Sequence, residues 1–135
     1  PITANEIQSL EEYFQKELSI LFEEVNNYNP AVLIGASGTF DTLAAMARHH
    51  NYTDSVTDSS SVELNIEHYN HIHQILLHSD AEERLVMPGM EPVRVEMIVP
   101  ATIFITFVLK ECGLNKMIQS SYALKEGVMA ELVNE

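Results

Sequence analysis

The segment Ala31-Val32-Leu33-Ile34-Gly35-Ala36-Ser37-Gly38-Thr39 constrains the fold of this chain more than any other. Its first residues are apolar at every position, which suits a short strand buried on both faces. Gly35, Ser37 and Gly38 then permit a tight turn, and Thr39 opens a helix that reaches about Arg48. A strand that turns directly into a helix is the first half of a parallel crossover. The expected class is therefore α/β, with a short, mostly parallel sheet packed with helices.

Around that unit the apolar spacing is mostly helical. Ile7, Leu10, Phe14, Leu18, Leu21, Phe22 and Val25 recur at gaps suited to one face, which predicts a single helix over Asn5 to Val25. Thr3 or Asn5 caps it, and Asn26-Asn27-Tyr28-Asn29-Pro30 stops it. From His49 to Ser61 the composition shifts to Ser, Thr, Asp and Asn, an exposed loop. Helices follow over Leu64 to Leu77, with Asn65 as a cap, from about Ser79 to before Pro88, and over Val93 to Leu109 with Pro100 near the start. Gly113 is a carboxyl-side cap, Lys116 to Ser120 a short strand, and Leu124 to Val133 a closing helix. Two clear strands make a poor sheet. Either Ser59 to Glu63 adds an edge strand or the chain is part of a larger domain, and the second explanation is preferred.

A length of 135 residues gives one domain, and 46% apolar with 20% charged residues excludes general disorder. One cysteine, Cys112, excludes an internal disulfide framework. The apolar run Met97 to Leu109 is too short to cross a bilayer, and the amino terminus lacks signal-peptide character, so a cytoplasmic location without membrane contact is expected. Twenty acids against seven Lys and Arg leave a formal charge of −13. The cations are scattered singly, which excludes nucleic acid as a partner. Any phosphate ligand must then be held by backbone amides, by a metal, or by groups outside this chain.

The Gly35–Thr39 turn is the sharpest chemical signal. Glycines let backbone approach a ligand, the following helix presents unpaired N–H groups, and Ser37 and Thr39 add hydroxyls. It is neither a P-loop nor a dinucleotide fingerprint, and a plain strand-to-helix turn with a hydroxyl cap remains open. Asp41 in the first helical turn counts against an anion. Lys125 and Glu126 follow the last strand, where open parallel sheets place ligands, although an exposed charge pair explains them equally. Arg94 and Glu96 read as surface or interface pairs, and Cys112 as a structural thiol. The six histidines, among them His68, His71 and His73, lack a His-Glu-x-x-His pattern and read as solvated rather than metal-binding. No nucleophile, base and orienting group can be assembled, so no catalytic residue is assigned.

Three segments in order resemble one family. They are Val32-Leu33-Ile34-Gly35-Ala36-Ser37-Gly38-Thr39-Phe40-Asp41-Thr42-Leu43, Ile98-Val99-Pro100-Ala101-Thr102-Ile103-Phe104 and Gln119-Ser120-Ser121-Tyr122-Ala123-Leu124-Lys125-Glu126-Gly127-Val128. Together they are similar to the carboxyl-terminal part of exopolyphosphatase / guanosine pentaphosphate phosphohydrolases, whose segments usually read Gly-x-Gly-Gly-Thr, Pro-Gly and Ser-x-x-x-Leu-Arg-Glu-Gly. Here Ser37 and Ala101 stand in place of glycines and Lys125 in place of arginine. The resemblance implies a partial ribonuclease H-like second lobe of the actin, sugar-kinase and heat-shock ATPase superfamily. It implies hydrolysis of terminal phosphoanhydride bonds of polyphosphate or guanosine pentaphosphate, with magnesium, in a cleft between two lobes.

On that basis Gly35, Ser37, Gly38 and Thr39 would face the phosphate chain or nucleotide, and Lys125 with Glu126 would flank it. The family's earlier phosphate loops and catalytic Glu have no counterpart here, and the chain begins at Pro1 without an initiator Met. Residues 1–135 are accordingly expected to be a single lobe segment, inactive alone, binding no magnesium of its own, and partnered by a missing amino-terminal lobe. Exposed strand edge and apolar surface would then favour a homodimer. The competing reading is a non-catalytic nucleotide-sensing or dimerisation module with the same fold.

Overall fold

The computed structural model describes residues 1–50, 56–58 and 60–134. Thr3 starts the first helix through a reciprocal capping box. Its hydroxyl accepts from the Glu6 amide at 3.3 Å, and the Glu6 carboxylate accepts from the Thr3 amide at 2.8 Å. The single amino-terminal helix expected from the apolar spacing is in fact two, α1 (Ala4–Glu17) and α2 (Ser19–Tyr28). They meet at Leu18, whose backbone (φ −101°, ψ 12°) leaves the helical region, and Asn29 ends α2 in the left-handed conformation. Phe14 of α1 sets its ring edge against Phe104 at 5.1 Å.

The chain then runs through β1 (Leu33–Ala36), α3 (Gly38–His49), β2 (Val56–Asp58), β3 (Ser61–Leu64), α4 (Ile66–His78) and α5 (Ala81–Leu85). A 3-10 turn over Pro92–Arg94 leads into α6 (Ile98–Glu111), followed by β4 (Met117–Ser120) and α7 (Leu124–Asn134). Asn65 caps α4 by accepting from the Glu67 and His68 amides. Pro100 is the third residue of α6, where no intrahelical donor is needed. Gly113, at φ +62°, closes α6, with the Leu114 amide bonded to the Leu109 carbonyl at 2.8 Å and the Gly113 amide to that of Lys110 at 3.2 Å.

The α/β class is as expected, but the sheet is mixed rather than mostly parallel. Its order is β1-β4-β3-β2; β1 and β4 pair in parallel, with Leu33 opposite Met117 and Ala36 opposite Ser120, whereas β3 pairs antiparallel to both β4 and β2. The Ser59 to Glu63 stretch thus does contribute a strand, and it lies inside the sheet rather than at its edge. Polar composition hid it, because the alternation Ser61-Val62-Glu63-Leu64 belongs to a strand with a single buried face, and Leu64 is buried. The part of the expected His49 to Ser61 loop at 51–55 and 59 lies outside the described residues.

Helices α3, α4 and α6 build the core with β3 and β4. Leu43, Met46, Ile72, Leu76, Ile98 and Met117 are almost wholly enclosed. Deep in it the Tyr69 hydroxyl donates to the Thr102 carbonyl at 2.7 Å, joining α4 to α6. At the opposite edge the packing stops. β1 ends the strand order with Ile34 62% exposed, and on α7 Leu124, Met129 and Leu132 are 85%, 62% and 64% exposed.

Candidate functional site

The turn from β1 into α3 departs from ordinary backbone at two successive residues. Ser37 sits at φ 64°, ψ 175° and Gly38 at φ 45°. The Ser37 conformation is nearly reserved for glycine, so a side chain there is held under strain. Ser37 occupies the cap position of α3, yet its hydroxyl makes no capping hydrogen bond, so the hydroxyl-cap reading of this turn does not hold. Its carbonyl instead accepts from the Phe40 amide at 3.1 Å. Gly35 has a different reason to be glycine. It is buried, and a Cβ on it would run into the Phe40 ring.

Gly38 is pressed by a residue that sequence reasoning assigned elsewhere. A Cβ at Gly38 would lie 2.8 Å from Nη2 of Arg94, so the guanidinium packs directly on the turn. Arg94 is half-buried, and its Nε is enclosed without a hydrogen-bond partner. With Ser37, Gly38, Thr39, Ala101 and Phe104 it lines an open groove of about 370 Å³. Arg94 is far from the turn in sequence, and only the fold brings the two together; no local motif announces it.

Lys125 reaches the same turn from the other side. Because β1 and β4 are parallel neighbours, their carboxyl ends emerge side by side. A second, wider groove of about 780 Å³ therefore has Ala36 and Ser37 on one wall and Ala123, Leu124, Lys125, Val128 and Met129 on the other. The hinge near Ser37 and the Lys125 corner do share one groove, whose lining is largely apolar. Glu126 turns away to the backbone: its carboxylate accepts from the Ala123 amide at 2.9 Å and lies 3.4 Å from Lys125 Nζ. The Ala123 N–H is the main cause holding that carboxyl below its ordinary range.

Asp41, in the first turn of α3, accepts at Oδ1 from the Gln119 side-chain amide of β4 at 2.8 Å, which ties the start of α3 to the sheet. Among the described residues no three His, Cys, Asp or Glu side chains converge on a metal position. His50 and His71 approach ring to ring at 6.2 Å. His73, expected to be solvated, is 6% exposed and stacked on Tyr69, and burial pushes its pKa down. Burial, with Glu111 nearby, pushes the Cys112 thiol up, away from nucleophilic character.

A small mixed sheet covered by helices, with a glycine turn leading from its edge strand into α3, is of the actin-like ATPase fold class. The chain belongs to the Ppx/GppA phosphatase family, whose model matches residues 1–135. It is similar to an exopolyphosphatase from Cytophaga hutchinsonii at 33% identity and a TM-score of 0.88, over 99% of this chain and 43% of that one. It also resembles the Ppx/GppA family member of Aquifex aeolicus in fold, with a TM-score of 0.73 at 22% identity, over 97% of this chain and 41% of that one. The chain thus spans less than half the length of these relatives. A search of curated proteins returned no match. No helix among the described residues is long and apolar enough to cross a membrane.

Proposed function

We propose that this chain supplies one wall of the phosphate-binding cleft of a cytoplasmic Ppx/GppA phosphatase. The enzyme would hydrolyse terminal phosphoanhydride bonds of polyphosphate or guanosine pentaphosphate. The observation that supports this most is the strained Ser37-Gly38 turn at the start of α3 with the Arg94 guanidinium packed on it. Backbone strain concentrates where a site needs a fixed geometry, and N–H groups at a helix start beside a guanidinium suit phosphate oxygens. Ser37, Gly38 and Thr39 meet the phosphates, Lys125 flanks them, and Gly35 and Glu126 act by shaping the turn and the start of α7.

The remaining parts lie outside this chain. Phosphoryl transfer depends on charge neutralisation and a positioned nucleophile, and no cluster of three metal-ligating side chains lies among the described residues. In this reading magnesium enters with the other lobe or with the substrate, and the chain alone turns over no polyphosphate. The bare faces of β1 and α7 favour a protein neighbour at the wide groove. We assign that place to the amino-terminal lobe, whereas self-association of the isolated chain would give a concentration-dependent sedimentation coefficient.

Titration with inorganic tripolyphosphate, following the amide resonances of residues 37–40, tests the reading. Saturable shifts at these amides support it. If they stay silent, the non-catalytic sensing or dimerisation module takes its place. Phosphate release from polyphosphate by the isolated chain at the rate of an intact enzyme would defeat the assignment of catalysis to two lobes.

A further inference from the structure

The Arg94 Nε is enclosed without a hydrogen-bond partner, yet its guanidinium rests on Gly38. Two features of the surrounding chain bear on where its backbone stands, besides the 3-10 turn whose hydrogen bonds include its own amide and carbonyl. Arg84 is buried, 9% exposed, and spans two elements: Nε donates to the Val95 carbonyl at 2.9 Å and Nη1 to the Ser79 carbonyl at 2.6 Å. Ser79, itself buried, is bonded through its hydroxyl to the Leu76 carbonyl at the end of α4. The residue after Arg94 is thus tied to α4 through one guanidinium fork. Gly89 supplies the second anchor. At φ +86° it seats against the middle of α3, where a Cβ would stand 2.6 Å from the Met46 nitrogen and 2.7 Å from the Ala45 carbonyl carbon. The same helix carries the Ser37-Gly38 turn at its start.

We infer that Arg84 and Gly89 are positioning residues that hold Arg94 against the phosphate-facing turn. The inference rests on the proposed phosphate role of that turn and adds how its arginine is fixed. Both anchors are built into rigid parts, so Arg94 stands preorganised before any ligand arrives. A lysine at position 84 keeps the charge but loses the planar fork that reaches two carbonyls at once.

The test follows the Arg94 Nε–H resonance in the full chain, without ligand and then with inorganic tripolyphosphate. In the wild-type chain this group should exchange slowly and be as ordered as core amides, unlike the exposed Arg48. In Arg84→Lys its order should fall to that of Arg48, with core amides unchanged and tripolyphosphate bound roughly tenfold more weakly. In an Arg94→Met background, Arg84→Lys should have no further effect on that affinity, because the two act as one unit. An Arg94 group as mobile as Arg48 in the wild-type chain overturns the inference, whether or not the variant folds. So does an Arg94 that stays ordered in Arg84→Lys, or additive losses in the double variant. If Arg94 loses order as expected but tripolyphosphate moves no turn amide in the wild-type chain, the brace stands and the phosphate reading of the turn falls.

Discussion

Replacing Ser37 by glycine should stabilise this protein, although glycine usually weakens one. A non-glycine residue held at φ 64°, ψ 175° costs about 1–3 kcal/mol. Against that stands the extra freedom glycine gives the unfolded chain, about 0.5–1 kcal/mol. Nothing is lost at the cap, because the Ser37 hydroxyl makes no capping bond, and glycine is itself acceptable there. The difference of those ranges is about 0–2.5 kcal/mol, centred on a gain of about 1 kcal/mol, or roughly 4 °C in Tm for a domain of this size. Urea unfolding should show a higher midpoint at an unchanged slope. Ser37→Ala is the control. It removes the same hydroxyl but keeps Cβ and therefore the strain, so its stability should stay within about 0.5 kcal/mol of the wild-type chain. A Ser37→Gly variant no more stable than the parent, or an Ala variant stabilised as much as Gly, would refute the strain argument.

Thr3→Ala removes the hydroxyl half of the α1 capping box, leaving the backbone N–H that donates to Glu6, and should cost about 1 kcal/mol, read as a lower urea midpoint and faster amide exchange in the first turn of α1. Gly89→Ala forces Cβ onto the α3 backbone at positive φ and should cost more than about 2 kcal/mol, unlike Gly127→Ala, where a Cβ meets open space. Stability should fall as pH drops below about 6.5, because the unfolded chain protonates His73 at its ordinary value while the folded chain resists until lower pH. His73→Leu should flatten the fall in urea midpoint between pH 7.5 and 5.5, and an unchanged pH slope would remove His73 as its cause.

What could be read from the sequence was local chemistry. Thr3 with Glu6, Asn65 with the amides that follow it, and Gly113 after α6 are each decided within a few residues, and each sits where the local pattern places it. The joint at Leu18 was not legible, since Leu18 lies on the apolar face that continues smoothly from α1 into α2. The strand β3 is legible only as a candidate edge strand, for a related reason. Its pairing partner β4 arrives only after two further helices and α6, and the half-polar sequence Ser61-Val62-Glu63-Leu64 looks like a loop until that partner is present. Within the candidate site, the turn residues are self-announcing because glycine and hydroxyl side chains cluster there. Arg94 is not, because its place depends on Arg84 and Gly89 making contacts across three elements.

The distribution of positive charge sets what this wall can do. Of seven Lys and Arg side chains, Arg84 is consumed by backbone carbonyls inside the protein, and Lys116 is paired with Glu63 at 3.1 Å. Lys125 is shared with Glu126, which leaves the Arg94 guanidinium as the strongest donor on the turn itself. Two cations and a helix start can hold a terminal phosphate group or two by short-range contacts. They cannot neutralise a long polyanion against a formal charge of −13, since screening confines each charge to roughly 10 Å. The acidic bulk of the chain and the two cations beside the Ser37-Gly38 turn therefore suit the proposed wall that orients phosphate at close range. On that proposal, capture of the rest of a polyanionic substrate would fall to basic groups outside this chain.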